Sequence, residues 1–225
     1  MLPLRNVLAS LVVAAACGGA RAPDSAAAAA PDPPLAQDTA AVPAGYGTLR
    51  RDDIVVQFNT SQLQIQVLPL DDDIIRLLLP DTYQALTSLV TSKRDAIVTA
   101  AQRGGVVRPS LVLVTFRGLV PQARFSPEDF NIGNRGQLFR PVGVVPLSTA
   151  WDTYQLEARE QAMAIYLFPD GISFRERLLM AYEGLTNDSW SRTLSVVERE
   201  RAAVRVRATT GTAPAPVPAD TSPAP

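Results

Sequence analysis

The chain has 225 residues, of which 47% are hydrophobic and 19% charged, and this length allows one domain of ordinary size or at most two. The formal net charge is -1, so bulk charge does not favour nucleic acid as a partner. Histidine is absent and Cys17 is the single cysteine, which removes the commonest acid/base group, the commonest metal ligand and any internal disulfide. We therefore expect no catalytic site, no metal site and no cofactor.

Residues 1–16 have the organisation of an export signal. Arg5 precedes an apolar run over residues 7–16, and the small residues Ala14, Ala15 and Ala16 end that run. A helix over the run would span roughly 15 Å, about half of the hydrocarbon core of a bilayer. The segment is therefore too short to be an ordinary transmembrane anchor.

The junction Ala14-Ala15-Ala16-Cys17-Gly18 resembles the lipobox of bacterial lipoproteins, in which the cysteine is lipidated and becomes the first residue of the mature chain. It departs from the usual pattern at Ala14, where leucine is preferred, and ordinary signal peptidase cleavage is the alternative. The resemblance implies that Cys17 carries the membrane anchor, since several acyl chains on one residue anchor a protein durably. In lipoproteins of this kind, a residue other than aspartate after the cysteine directs sorting to the outer membrane, so the resemblance, with Gly18 at that position, implies the outer membrane if the cell has one.

Two segments rich in alanine and proline flank the central part of the chain. Residues 17–47 lack aliphatic bulk and contain Pro31, Pro33 and Pro34, which predicts a disordered tether behind the lipidated cysteine. Residues 209–225 have the same character and are predicted to be a disordered tail. The folded domain is therefore expected over residues 48–208.

Short apolar runs separated by turn residues predict strands within this domain. Leu63, Ile65 and Val67 alternate with glutamines, which is typical of a half-buried strand. The run 111–114 is apolar on both faces and predicts a central strand. The predicted strands cover residues 54–58, 62–67, 74–79, 111–116, 137–140, 162–168 and 176–182.

One helix interrupts this strand-rich pattern. Apolar residues recur at helical spacing from Tyr83 to Ala100, after Pro80-Asp81 and before Gly104-Gly105. Asp81 is the expected N-cap, and Gly133-Asn134-Arg135-Gly136 further on is typical of a hairpin turn. The predicted fold class is mainly β: an immunoglobulin-like two-sheet β-sandwich with one inserted α-helix.

The last arginines of the domain form the candidate contact for an anionic ligand. In a strand over the final part of residues 194–207 they would form one row of guanidinium groups, suited to phosphates or carboxylates, although helix or strand stays open for residues 194–201. An ordinary solvent-exposed face is the alternative. The residues of this row are Arg199, Arg201, Arg205 and Arg207.

Acidic and aromatic residues supply weaker candidates. Residues 71–73 are three adjacent aspartates, which indicate either a cation site or, more simply, a solvated turn. Glu128-Asp129 follows Ser126-Pro127 in the pattern of a capped turn. The aromatic residues between Trp151 and Trp190 could form a stacking surface, and those two tryptophans are the members expected to be exposed.

These patterns favour a lipid-anchored envelope protein with a non-catalytic interaction or structural domain. Its expected partners are the membrane, through Cys17, and an envelope protein or polymer, with no nucleic acid. One alternative is a carboxylate-dependent hydrolase of envelope polysaccharide, which requires two acids facing one cleft. Another is a periplasmic carrier or assembly chaperone, which requires an apolar groove.

Overall fold

The computed structural model describes residues 42–211, so the predicted signal peptide, Cys17, most of the tether and the end of the tail lie outside the described residues. The strands are β1 (Val56–Asn59), β2 (Leu63–Pro69), β3 (Ser110–Gly118), β4 (Ala123–Arg124), β5 (Asn131–Asn134), β6 (Gln137–Phe139), β7 (Gly143–Pro146), β8 (Gln155–Leu156), β9 (Gln161–Phe168), β10 (Leu178–Tyr182) and β11 (Leu185–Asn187). The α-helices are α1 (Arg51–Ile54), α2 (Asp72–Ile75), α3 (Pro80–Ser92), α4 (Arg94–Arg103) and α5 (Trp190–Thr210). Short 3₁₀ helices cover Pro127–Asp129 and Thr149–Asp152.

A five-stranded antiparallel sheet forms the centre of the described domain, with strand order β1-β2-β3-β9-β7. The predicted alternation in β2 is confirmed, because Leu63, Ile65 and Val67 are buried on one face. The apolar run in β3 lies on the middle strand, as its two-sided apolar pattern predicts.

A second, four-stranded antiparallel sheet has the order β11-β10-β5-β6, and β4 pairs with β8 in a separate two-stranded ladder. The predicted turn at 133–136 is confirmed as the β5–β6 hairpin, since Arg135 and Gly136 both have positive φ, at 51° and 77°. Such angles define the two-residue turn that matches the twist of paired strands. The domain is therefore mainly sheet, with several antiparallel sheets.

Aromatic side chains join the two larger sheets. Phe116 of β3 lies 5.5 Å from Tyr182 of β10, measured between ring centroids. Phe130, which directly precedes β5, lies 5.5 Å from Tyr166 of β9 in an edge-to-face contact. All four rings are fully buried, so residues of both sheets contribute to one core.

The opposite side of the five-stranded sheet packs against helix α4. Leu113, Ile165 and Leu167 are buried on this side, and α4 contacts β7 and β9. Gly143 allows this close approach, because a Cβ there would lie 3.2 Å from the Cβ of Ala100. The central strands of the sheet are therefore apolar on both faces, as the apolar run at residues 111–114 predicts.

The predicted single helix is wrong in three respects. The chain bends at Lys93, so two helices, α3 and α4, replace one. Helix α3 begins with Pro80, whose fixed φ suits the first helical position, and its N-cap is Leu79 rather than Asp81. A third long helix, α5, follows the last strand.

The predicted strand over 74–79 is also wrong, because α2 occupies its first half.

The predicted strand at the end of the domain is wrong, because Trp190–Thr210 forms the continuous helix α5. Its buried side chains fall at helical spacing, namely Trp190, Val197, Arg201 and Val204, with Glu200 beside them. The alternation of arginine with valine near residue 205 indicated a strand, but the longer apolar period decides the structure.

Residues 42–49, which we name the strap, run alongside the chain that follows α2. The backbone N–H of Leu49 donates to the carbonyl of Leu77 at 3.1 Å, and the N–H of Leu79 donates to the carbonyl of Leu49 at 2.9 Å. A Cβ at Gly47 would lie 2.2 Å from the carbonyl carbon of Leu77, so only glycine permits this approach. Val42 is fully buried, and the folded part of the chain therefore includes residues on the N-terminal side of the predicted boundary at 48.

Candidate functional site

A polar pocket lies where β4 pairs with β8. It encloses about 410 Å³, which falls in the range of small-ligand pockets. Its walls combine an aromatic ring with charged and neutral polar groups, and we name it the Tyr154 pocket. The residues that matter to its chemistry are Arg124, Phe125, Ser126, Glu128, Tyr154 and Gln155.

Backbone pairing places these side chains. Arg124 of β4 lies opposite Gln155 of β8, and the N–H of Phe125 donates to the carbonyl of Tyr154 at 3.1 Å. Tyr154 has φ 51°, a left-handed conformation that costs a residue other than glycine about 1–2 kcal/mol. Non-glycine residues in this conformation occur disproportionately at binding and catalytic sites.

The ring of Tyr154 is half exposed, at 52%, although buried rings hold it from behind. It makes edge-to-face contacts with Phe125 at 5.8 Å and Trp151 at 6.4 Å between ring centroids. Phe125 in turn stacks on Phe116 at 4.9 Å, so the ring is connected to the sheet core. The pocket therefore presents an aromatic surface that is already ordered.

The turn beside the pocket is fixed by a buried tyrosine. The hydroxyl of Tyr182 accepts a hydrogen bond from the N–H of Ser126 at 2.9 Å, and burial raises the pKa of this hydroxyl. The turn continues into a 3₁₀ helix with Pro127 in its first position, as predicted, but the side chain of Ser126 makes no capping hydrogen bond. Glu128 thereby lies on the pocket wall rather than in the core.

The charged groups of the pocket are unpaired within residues 42–211. Arg124 and Glu128 are both exposed, and neither forms an ion pair or a side-chain hydrogen bond with another described residue. Their formal charges cancel. The pocket therefore offers one strong donor group and one strong acceptor group without a net charge.

Two buried polar atoms in the aromatic cluster that includes Tyr154 have no hydrogen-bond partner among the described residues. They are Nε1 of Trp151 and the hydroxyl of Tyr166, whose ring centroids are 6.1 Å apart. Burial raises the pKa of the Tyr166 hydroxyl, and the nearby charges of Tyr182, Glu128 and Tyr154 raise it further. Neither Trp151 nor Tyr166 is among the residues that line the Tyr154 pocket. Buried donors of this kind ordinarily hold water or another group.

A second concavity, which we name the outer-sheet groove, lies on the outer face of the four-stranded sheet. It encloses about 480 Å³ and contains the exposed side chains of Leu138 and Leu179 on either side of Gly133. Arg177 lies at one side, and Ser191 lies at the other, near the start of α5. The groove is mainly apolar, in contrast to the Tyr154 pocket.

The predicted arginine row does not form, because α5 distributes its members around a helix. Arg199 is exposed, whereas Arg201 is 3% exposed and donates from Nη1 to Glu198 at 2.6 Å. Arg207 donates from Nε to the carbonyl of Tyr46 at 2.9 Å and also pairs with Glu200. Arg205 is half-buried. The four arginines could contact one anion together only if they lay on one face of the helix, and they do not. An anion contact at Arg199 stays a prediction.

The aspartates at 71–73 form the start of helix α2. Asp72 pairs with Arg76 at 2.6 Å, and Asp73 pairs with Arg175, which raises the pKa of both arginines. Burial and the neighbouring charge of Asp73 raise the pKa of Asp71. Within residues 42–211 no group of three acidic or other ligating side chains is placed to hold a metal ion.

The acids do not form a catalytic pair in the described clefts. Asp52 and Asp53 line one cleft, but they are adjacent on α1, and Asp53 already accepts the N–H of Arg50 at 2.7 Å. Glu128 is the single carboxylate of the Tyr154 pocket. Paired glycosidase acids must face each other across the scissile bond, which neither arrangement allows.

The tryptophans expected to be exposed are buried. Trp190 is fully buried and donates from Nε1 to the carbonyl of Phe174 at 3.2 Å, and Trp151 is 6% exposed. Tyr154 is the member of the aromatic set that reaches solvent at the pocket. Its left-handed backbone leaves no signature in a single sequence.

Cys17, the predicted lipidation site, lies outside the described residues. Among the helices of residues 42–211, none is long and apolar enough to cross a membrane. No family model matches the chain, and no curated protein or solved structure is similar enough to it to count as a match.

Proposed function

We propose that the chain is a lipid-anchored protein of the bacterial cell envelope, on the outer membrane, whose domain binds an envelope component without catalysis. The anchor part rests on the lipobox-like junction at Cys17. The binding part rests on the Tyr154 pocket, where a half-exposed ring and unpaired polar groups surround about 410 Å³. The one described cleft with two acids has them adjacent on α1 rather than facing each other, which favours binding over catalysis.

For the fold, we propose that the two larger sheets are the two layers of a β-sandwich. The ring contacts from Phe116 to Tyr182 and from Phe130 to Tyr166 support this packing. An immunoglobulin-like connection of the strands is the narrower form of the same proposal. An experimental structure tests it, through the angle between the sheets and the order of strands in each.

Cell fractionation tests the anchor. The chain with Cys17 should sediment with membranes after a high-salt wash, and Cys17→Ser should move it to the soluble envelope fraction. Ser10→Ala, within the apolar run, is the matched control and should leave membrane recovery unchanged. Equal membrane recovery of the Cys17→Ser chain would contradict lipidation.

Co-sedimentation with purified envelope polymer separates binding from hydrolysis. A binding protein should sediment with the polymer and release no new reducing ends, whereas a hydrolase releases them with time. Glu128→Gln sharpens the comparison, because it removes the one carboxylate in the pocket and should abolish release by a hydrolase. Release of reducing ends that depends on Glu128 would replace the proposal with the hydrolase.

The outer-sheet groove favours a second candidate, a periplasmic carrier or assembly chaperone for an extended apolar segment. Leu138 is 60% exposed and Leu179 is 41% exposed, which is unusual for neighbouring side chains on a sheet. Leu138→Asn should then weaken protection of an aggregation-prone apolar peptide, with Val107→Asn, at a separate exposed position, as the control.

A further inference from the structure

We propose that the Tyr154 pocket binds a neutral saccharide segment of an envelope glycan, an inference that rests on the proposed binding function and names its ligand class. The face of an aromatic ring is electron-rich and attracts the C–H groups on the apolar face of a sugar ring. Tyr154 supplies that face, half exposed and held by Phe125 and Trp151.

The polar groups of the pocket suit a ligand covered with hydroxyls. A hydroxyl both donates and accepts, so it can satisfy the Glu128 carboxylate and the Arg124 guanidinium at once. Both groups are unpaired among the described residues, and their opposite charges favour a neutral ligand over an anion or a cation. Ser126 and Gln155 add neutral polar groups on the same wall.

The walls of the Tyr154 pocket are ordered without a ligand, which also supports saccharide binding. Three features fix the walls: the β4–β8 ladder, the hydrogen bond from Ser126 to Tyr182, and the ring contacts of Tyr154. A pre-ordered site loses little conformational freedom on binding. This matters for saccharides, whose many hydroxyls must leave water before they gain contacts in the pocket.

Isothermal titration of the full lipidated chain tests the proposal, in a detergent without a sugar headgroup. The neutral probes are the tetramers of β-1,4-linked N-acetylglucosamine and of α-1,4-linked glucose. A tetramer of galacturonic acid probes anions, and tetra-alanine probes peptides. At least one neutral saccharide should bind, and the acidic and peptide probes should bind at least tenfold more weakly.

Tyr154→Asn removes the ring while keeping a residue that tolerates the left-handed backbone, and should weaken saccharide binding about tenfold. Tyr154→Phe keeps the ring and should stay within about threefold of the native chain. Arg124→Gln, at an exposed position that does not threaten folding, should weaken binding about threefold or more. Leu138→Asn in the outer-sheet groove is the control and should change nothing.

Three outcomes would overturn the proposal: no neutral saccharide bound at millimolar concentration, tighter binding of the acidic or peptide probe, or equal saccharide binding by Tyr154→Asn. Each of them can occur while Cys17 still anchors the chain and while the chain still sediments with envelope polymer. Failure of the saccharide assignment is therefore distinguishable from failure of the proposed function.

Discussion

Glu200 on helix α5 accepts two hydrogen bonds from Thr48, although 152 residues separate them in the chain. The backbone N–H of Thr48 donates at 2.8 Å and its hydroxyl donates at 2.9 Å, both to Oε1 of Glu200. Arg207 pairs with the same oxygen and also donates to the carbonyl of Tyr46. One buried carboxylate thus joins the strap at the start of the folded region to the helix at its end.

This relationship predicts that Glu200→Ala destabilises the domain by about 2–3 kcal/mol. Glu200 is 8% exposed, and its removal leaves the N–H of Thr48 and the guanidinium of Arg207 without their acceptor. The measurement is the free energy of unfolding in urea. Glu157→Ala, at an exposed carboxylate, is the control and should change the free energy by less than about 0.5 kcal/mol. A comparably small effect at Glu200 would show that the strap is not stabilised by this contact.

A shortened chain tests where the folded region begins. A chain of residues 42–211 should unfold cooperatively, with a midpoint close to that of the full chain. A chain of residues 48–208 should be less stable, because it lacks Tyr46 and the buried Val42, whose carbonyl accepts a hydrogen bond from Arg76 at 3.0 Å. Thermal denaturation followed by circular dichroism compares the two. Equal midpoints would show that residues 42–47 add nothing.

Sequence periodicity predicts the sheet centre but not its surroundings. The strands around Ile65 and Val114 were predictable because burial on one or both faces leaves a direct apolar pattern. The short strands β4 and β8 were not predictable, since their pairing joins residues 31 and 33 positions apart rather than following a local pattern. The sequence predicted a strand at the end of helix α5 because arginine and valine alternate there. The helical period was hard to recognise because the buried face of α5 includes the charged side chain of Arg201.

The candidate site was predictable only in part. The turn at Ser126-Pro127 was predictable from residue types, although not its missing side-chain cap, and so was an aromatic set that includes Tyr154. The positive φ of Tyr154 and its ring contact with Phe125 were not predictable, because the spacing of aromatic residues along the sequence indicates neither. The arginines of α5 illustrate the converse, because residue type alone suggested a ligand contact where the structure shows internal hydrogen bonds at Arg201 and Arg207.

The raised pKa of Asp71 predicts a pH-dependent gain from Asp71→Asn. Burial, then the charge of Asp73, favours the protonated form of Asp71 in the folded state. A carboxyl with a raised folded pKa contributes its stability at low pH, and that contribution is lost as the pH rises through the folded pKa. Asn cannot ionise and still offers an oxygen to the start of α2. Asp71→Asn should therefore raise the free energy of unfolding at pH 7 and have little effect near pH 3.

Urea unfolding at both pH values measures this difference. Asp170→Asn, at an exposed position, is the matched control and should show no such change between pH 3 and pH 7. Destabilisation by Asp71→Asn at pH 7 would contradict the prediction, because it would mean that the charge of Asp71 stabilises the fold through Arg175 or the start of α2.

Arg201 and Arg207 lie on the same helix and should respond oppositely to the same substitution. Arg201 is 3% exposed, yet its Nε and Nη2 atoms have no hydrogen-bond partner, and its one acceptor, Glu198, is half exposed. Removing the guanidinium leaves no buried charge behind, because the Glu198 carboxylate is half exposed to water, and it ends the cost of burying an incompletely paired cation. Arg201→Met should therefore leave the free energy of unfolding unchanged or raise it.

Arg207→Met should instead lower the free energy of unfolding by about 1–3 kcal/mol, because it leaves the buried Glu200 carboxylate without its cation and the Tyr46 carbonyl without its donor. Measuring both variants in urea under identical conditions makes each the control for the other, since length, helix propensity and charge change alike. If Arg201→Met lowered the free energy of unfolding as much as Arg207→Met, the Nε and Nη2 atoms of Arg201 would have to bind a partner in solution. Arg201 would then be an anion contact inside the domain.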